Sequence, residues 1–76
     1  MNYTIMYARK GTYCLFYEKS GNMYLVGDYD TVTNKSTFRE EYDLSDDASD
    51  RFLELCHEKG MKPQSVKHDP SDFNFD

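Results

Sequence analysis

The side chains best suited to act as nucleophiles or metal ligands are two cysteines and two histidines: Cys14, Cys56, His57 and His68. Zinc sites usually contain ligand pairs separated by two to four residues, and none of these four side chains has such a neighbour. Cys56 and His57 are adjacent on a predicted helix, so their side chains point about 100° apart and cannot easily share one ion. Cys56 also falls on the apolar stripe of that helix, which predicts a buried structural thiol. We therefore expect no metal site, no cofactor and no catalytic Cys–His pair.

Carboxylates are the second group of side chains that could take part in catalysis or ion binding. Residues 40–50 contain six acids and no base, namely Glu40, Glu41, Asp43, Asp46, Asp47 and Asp50. Their spacing is not that of a calcium-binding loop, and 76 residues leave little room for the pocket that a catalytic pair of carboxyl groups needs. The four glycines are isolated, so none belongs to a phosphate-binding loop. The sequence therefore predicts that the protein is not an enzyme.

The uneven distribution of charge points instead to binding. The net charge is −5, but the first 39 residues carry five bases against three acids, and the rest of the chain carries four bases against eleven acids. A helix N-terminus favours Asp46 and Asp47, but neither this effect nor solubility explains Glu40, Glu41 and Asp43 on a predicted strand. Dense acidic surfaces attract basic partners, whereas direct binding to nucleic acid requires clustered Lys and Arg.

Length and composition define the class of protein. Seventy-six residues are enough for one domain, and 16% aromatic residues argue against intrinsic disorder. No apolar run approaches the roughly 18 residues of a membrane span, and the first residues lack the pattern of a signal peptide. Two cysteines are too few for a disulfide scaffold. We expect a single cytoplasmic domain.

Hydrophobic patterning predicts an α+β fold, in which a four-stranded antiparallel meander precedes one C-terminal helix packed on one face of the sheet. The predicted strands cover residues 2–9, 12–18, 23–33 and 36–43. Turns are expected at Lys10-Gly11, at residues 19–22 and at Asn34-Lys35, and their shortness makes neighbouring strands antiparallel.

The helix is predicted over residues 46–59, with Ser45 as its N-cap and Gly60 as its left-handed C-cap. The polar tail, residues 64–76, either adds a short edge strand near residues 65–68 or remains a tail.

The loop lengths also predict which side chains share a face, because a loop of even length preserves the alternation of side chains. The registers that these turns predict place one set of apolar side chains on the same face, as the core beneath the helix: Ile5, Tyr7, Cys14, Phe16, Leu25, Tyr29, Phe38, Tyr42 and Leu44. Cys14 and Cys56 could then approach each other, although a reducing compartment favours free thiols.

The opposite face is predicted to be rich in tyrosine and available for binding. It carries Tyr13, Tyr17 and Tyr24, together with aliphatic side chains, and Asp28 and Asp30 lie at its border. Exposed aromatic patches with a polar rim are typical of interaction sites. The alternatives are that Phe73 and Phe75 of the tail cover this face, or that the tyrosines only favour strand formation.

The leading hypothesis is a small acidic interaction domain that inhibits or modulates a basic nucleic-acid-binding protein by mimicking nucleic acid. Its binding surface would combine the six acids of residues 40–50 with Tyr13, Tyr17, Tyr24, Asp28 and Asp30. Small acidic mimics occur among phage and mobile-element proteins, an analogy of size and charge alone. One alternative is a homodimeric structural or accessory domain that pairs through the tyrosine-rich face. The other is a single-stranded nucleic-acid binder in which the tyrosines stack on bases, although the net charge opposes it.

Overall fold

The computed structural model describes residues 2–66 and contains five antiparallel strands in one sheet with one helix packed on it. The predicted α+β class and the order of the first five elements are confirmed. Along the chain, the elements are β1 (Asn2–Lys10), β2 (Tyr13–Ser20), β3 (Met23–Asp30), β4 (Arg39–Tyr42), α1 (Ser45–Lys59) and β5 (Gln64–Ser65). The spatial order is β4-β3-β2-β1-β5. The short β5 is the edge strand anticipated in the tail, and it pairs with β1.

A glycine begins the loop of each of the first two hairpins. Gly11 and Gly21 have φ angles of 63° and 60°, and each occupies the first position of a two-residue loop, where the twist of a hairpin demands positive φ. The strands therefore extend further than predicted, with Lys10 opposite Tyr13 and Ser20 opposite Met23. From Met6 onward along β1, and throughout the β2–β3 pair, each register differs from the predicted one by two residues, which leaves the facing of these side chains unchanged.

The connection between β3 and β4 differs from the prediction in a way that changes the core. The predicted two-residue turn at Asn34-Lys35 is wrong, because β3 ends at Asp30 and β4 begins at Arg39. In the resulting register Tyr24 lies opposite Tyr42. This register differs from the one that a turn at Asn34-Lys35 would give by an odd number of residues. The side chains of β4 therefore lie on the opposite faces of the sheet from those predicted.

Asp28 holds this long connection in place. Its carboxylate is only 1% exposed and accepts the backbone N–H groups of Thr37 at 2.7 Å and Phe38 at 3.2 Å. It also accepts the hydroxyl of Tyr13 at 2.7 Å and the hydroxyl of Thr37. Burial alone would raise the pKa of Asp28, but these hydrogen bonds outweigh burial and lower the pKa. The buried charge is therefore compensated by four donors, and the chain before β4 is fixed to β3.

Helix α1 covers the face that was predicted to be open. The core beneath it contains Ala8, Leu15, Tyr17, Val26, Ala48, Phe52, Leu55, Cys56 and Met61. The predicted core is confirmed for Ile5, Phe38 and Tyr42, which pack against this cluster. It is wrong for Tyr7, Cys14, Phe16, Leu25 and Tyr29, which the strand registers place on the opposite face. A bulge between Thr4 and Met6 adjusts β1 to the same face.

The helix itself agrees with its sequence signals except at its first residue. Its buried stripe is Ala48, Phe52, Leu55 and Cys56. Gly60 has φ 65°, and the N–H of Met61 donates to the carbonyl of Cys56 at 2.8 Å, which is the predicted left-handed cap.

The predicted N-cap at Ser45 is wrong, because Leu44 occupies the cap position without a side-chain hydrogen bond. Ser45 is instead the first helical residue, and its hydroxyl lies 3.0 Å from that of Tyr17. Leu44 is 62% exposed rather than part of the core.

Replacement of Asp28 by Ala should lower the free energy of unfolding by about 3 kcal/mol, because the donors that surround it would be left without an acceptor in a buried site. Urea unfolding at neutral pH measures this loss. Asp43→Ala is the matched control, since Asp43 is exposed and should change stability by no more than about 0.5 kcal/mol. Equal effects of the two substitutions would contradict the role given to Asp28.

The lowered pKa of Asp28 also predicts a specific sensitivity to acid. Its ionised form is favoured by folding, so its contribution is complete above the unfolded value of 3.8 and disappears as the pH falls through the lower folded pKa. The wild type should therefore lose more stability than Asp28→Asn between pH 5 and pH 2, a window of about 1–2 units on either side of that value. Parallel acid dependence in urea titrations of the two proteins would contradict this assignment.

Candidate functional site

The acidic residues predicted to bind a partner lie together at the junction between β4 and α1. Five of them are exposed, and we call this group the acidic strip: Glu41, Asp43, Asp46, Asp47 and Asp50. The strip begins on β4, continues through the connection and includes the first two turns of α1. None of its carboxylates forms a salt bridge with another residue of the described range 2–66. The strip therefore presents uncompensated negative charge to solvent.

Glu40, the sixth predicted residue, has a structural role. It is half-buried on the helix side of β4, where it accepts the hydroxyl of Tyr42 at 2.6 Å and the Nε–H of Arg51 at 3.1 Å. The hydrogen bond from Tyr42 and the neighbouring Arg51 lower the pKa of Glu40, although burial opposes them. Arg51 also contacts Glu54 at 2.5 Å. Because Arg51 is engaged with these two carboxylates, the strip retains its charge.

The three predicted binding tyrosines lie under or beside the helix, which corrects the prediction that they form an open surface. Tyr17 is 3% exposed, donates to the carbonyl of Ser45 at 3.2 Å and packs its ring 6.3 Å from that of Phe52. Tyr13 and Tyr24 are half-buried and pack against the same core. Stacking of three exposed tyrosines on nucleic-acid bases is therefore incompatible with the position of α1.

Asp28 and Asp30, which were also predicted to bind a partner, both have structural hydrogen bonds. Asp28 is the buried acceptor described above. Asp30 accepts the N–H groups of Val32 at 2.8 Å and Thr33 at 3.1 Å, and its other oxygen accepts the hydroxyl of Thr12 at 3.0 Å. These hydrogen bonds lower the pKa of Asp30. Both aspartates therefore organise the loop that follows β3.

The surface that the sequence did not identify lies on the opposite side of the sheet, and we call it the open face. Its apolar floor consists of Tyr7, Cys14, Phe16, Leu25 and Tyr29, as the strand registers place them. Part of this floor forms a concavity of about 410 Å³ whose borders include Thr4, Arg9, Glu18 and Val66. Tyr29 is 39% exposed there, and burial together with a hydrogen bond to Cys14 raises the pKa of its hydroxyl.

Gly27 is the one sequence signal for this face. A Cβ atom at Gly27 would lie 2.7 Å from the ring of Phe16 and 2.9 Å from the carbonyl oxygen of Phe38. The ring of Phe16 can therefore lie over residue 27 only because that residue has no side chain. Phe16, which the sequence predicts in the core beneath the helix, therefore lies on the open face opposite Gly27.

The cysteines do not form a reactive pair. Cys14 and Cys56 are both free and buried. Cys14 belongs to the open face, whereas Cys56 belongs to the core on the other side of the sheet. Burial raises the pKa of Cys56, which keeps its thiol protonated. Across residues 2–66, no three His, Cys, Asp or Glu side chains are arranged to hold a metal ion. Phe73, Phe75 and His68 lie outside the described residues.

Comparison with known proteins yields no match to a family, to a curated protein or to a solved structure. Within the described part of the chain, α1 is too short and too polar to cross a membrane.

Replacement of Arg51 by Gln should lower the free energy of unfolding by about 1 kcal/mol, because it removes two partly exposed ion pairs that connect α1 to β4 and stabilise the helix itself. The matched control is Arg39→Gln, since Arg39 is exposed and has no ion pair within residues 2–66. Thermal or urea unfolding at low salt measures the difference. A loss for Arg39→Gln equal to that for Arg51→Gln would contradict the role of Arg51.

Proposed function

We propose that this protein is a small, non-enzymatic interaction domain that binds a basic protein through the acidic strip. The observation that carries the proposal is the set of five exposed carboxylates at the junction of β4 and α1, none of which forms an ion pair with a base in residues 2–66. Like charges at this density disfavour the folded state, so binding of a cationic surface would relieve their repulsion. Helix α1 and the Glu40–Arg51 contact hold the strip in a fixed arrangement before binding.

The partner class that fits such a strip is a nucleic-acid-binding protein, whose binding groove is built for a row of negative charges. Occupation of that groove by carboxylates would exclude phosphates, so the domain would act as an inhibitor or modulator of the partner. Long-range attraction would accelerate association and would weaken as salt is added. The strip alone provides this surface, since Tyr13, Tyr17, Tyr24, Asp28 and Asp30 have structural contacts.

The experiment that tests this function compares two baits of equal net charge. The strip variant carries Glu41→Gln, Asp43→Asn, Asp47→Asn and Asp50→Asn. The control variant carries Glu58→Gln, Asp69→Asn, Asp72→Asn and Asp76→Asn. Both changes reduce the net charge from −5 to −1, so a difference between the baits depends on the position of the charges rather than on their number.

We expect the wild type and the control variant to capture basic nucleic-acid-binding proteins from a cell lysate at low salt, and the strip variant to lose them. The bound proteins should elute as salt rises, and added double-stranded DNA should compete for them. Mass spectrometry of the eluates measures each outcome. Equal capture by the strip and control variants, or capture that neither salt nor DNA reduces, would contradict the proposal.

A further inference from the structure

The open face has an apolar centre and a balanced charge. No helix within residues 2–66 covers it, and its floor includes the half-buried rings of Tyr7 and Phe16 and the exposed ring of Tyr29. Among its strand positions, the registers place two cations and two anions on this side of the sheet: Arg9, Arg39, Glu18 and Glu41. None of these four forms an ion pair with any residue in the described range. In a protein of net charge −5, this face is locally neutral.

The charges at the concavity are arranged at opposite ends of the apolar centre. Arg9 pairs across the strands with Cys14, Glu18 pairs with Thr4, and the Tyr7–Phe16 pair lies between them. Cys14 and Glu18 are four residues apart on β2, which corresponds to about 13 Å along the strand. A cation therefore borders one end of the apolar centre and an anion borders the other.

We propose that the open face binds a second copy of this chain, with the two sheets packed face to face. A two-fold axis that lies between the sheets and runs across the strands at the Tyr7–Phe16 pair exchanges the two ends of the concavity. Arg9 of each copy then faces Glu18 of the other, and the aromatic floors meet between the two ion pairs. This arrangement is isologous, as most homodimers are, and face-to-face packing of sheets is a common way to bury apolar faces.

The charge pattern favours a second copy over a strongly charged partner. A basic protein attracted by the acidic strip would gain little from a face with equal numbers of cations and anions, and a polyanion would be opposed by the net charge. The same face on a second copy is complementary in charge, because the two-fold axis brings each Arg9 opposite a Glu18. Aromatic residues at the centre and charged residues at the rim are also the usual composition of protein interfaces. Glu41 belongs both to the acidic strip and to the border of the open face. The proposed ion pairs, however, use Arg9 and Glu18, which lie outside the strip, so this proposal can fail or hold independently of the function assigned to the strip.

Charge reversal tests this interface on the full chain. Sedimentation equilibrium over a range of about 10 µM to 1 mM should show a reversible dimer of the wild type. Arg9→Glu and Glu18→Arg should each raise the dissociation constant about tenfold or more, because each would place like charges opposite one another across the interface. The double variant should restore the dissociation constant to within about threefold of the wild type, since it exchanges the two charges.

The matched controls are Lys59→Glu and Glu58→Arg, which make the same charge changes on α1 and should leave the dissociation constant unchanged. Thermal unfolding of each variant separates loss of association from loss of the fold. A wild type that remains monomeric at the highest concentration would overturn the proposal. Single reversals that behave like the controls, or a double variant that does not recover association, would overturn it as well.

Discussion

The arrangement of this small domain depends on one buried carboxylate. Asp28 accepts hydrogen bonds from Tyr13, Thr37 and Phe38, and so holds the chain that leads into β4 against β3. This attachment sets the register in which Tyr42 lies opposite Tyr24, and the register decides that Phe38 and Tyr42 add to the face beneath the helix. The cost of burying a charge is offset by its donors, and the single register that results gives the helix one well-defined surface to cover.

Because α1 packs on one face of the sheet and leaves the other uncovered within residues 2–66, the molecule has two surfaces of different chemistry. On the helix side, the Glu40–Arg51 contact connects β4 to α1, and the carboxylates of the acidic strip near it are exposed and form no ion pair within the described residues. On the other side, Phe16 lies over Gly27, and the charged residues of the strands balance one another. An acidic surface suits a cationic partner, whereas a neutral aromatic surface suits a copy of itself. Had α1 packed on the other face, the open surface would have been the one with Tyr13, Tyr17 and Tyr24.

The local features of the fold could be predicted from the sequence, but the face of the sheet on which α1 packs could not. The helix and its end at Gly60 were predictable because capping and apolar periodicity act within a few residues. The exposed acids were predictable from charge alone. The face could not be predicted, since both faces of the first three strands are rich in aromatic and aliphatic residues, and only the β3–β4 connection distinguishes them. That connection depends on hydrogen bonds to Asp28 from residues nine and ten positions later, and the Asn34-Lys35 pattern favoured a shorter turn.

The position of the helix is the claim on which both surfaces depend, and contacts between aromatic rings test it most directly. The rings of Phe52 and Tyr17 lie with their centres 6.3 Å apart, so nuclear Overhauser effects between their protons should be observed in solution by NMR. Phe52 should also show contacts with the methyl groups of Leu15 or Val26, its neighbours in the core. Contacts from Phe52 to Phe16 and Leu25 in their place would put the helix on the opposite face and contradict the account.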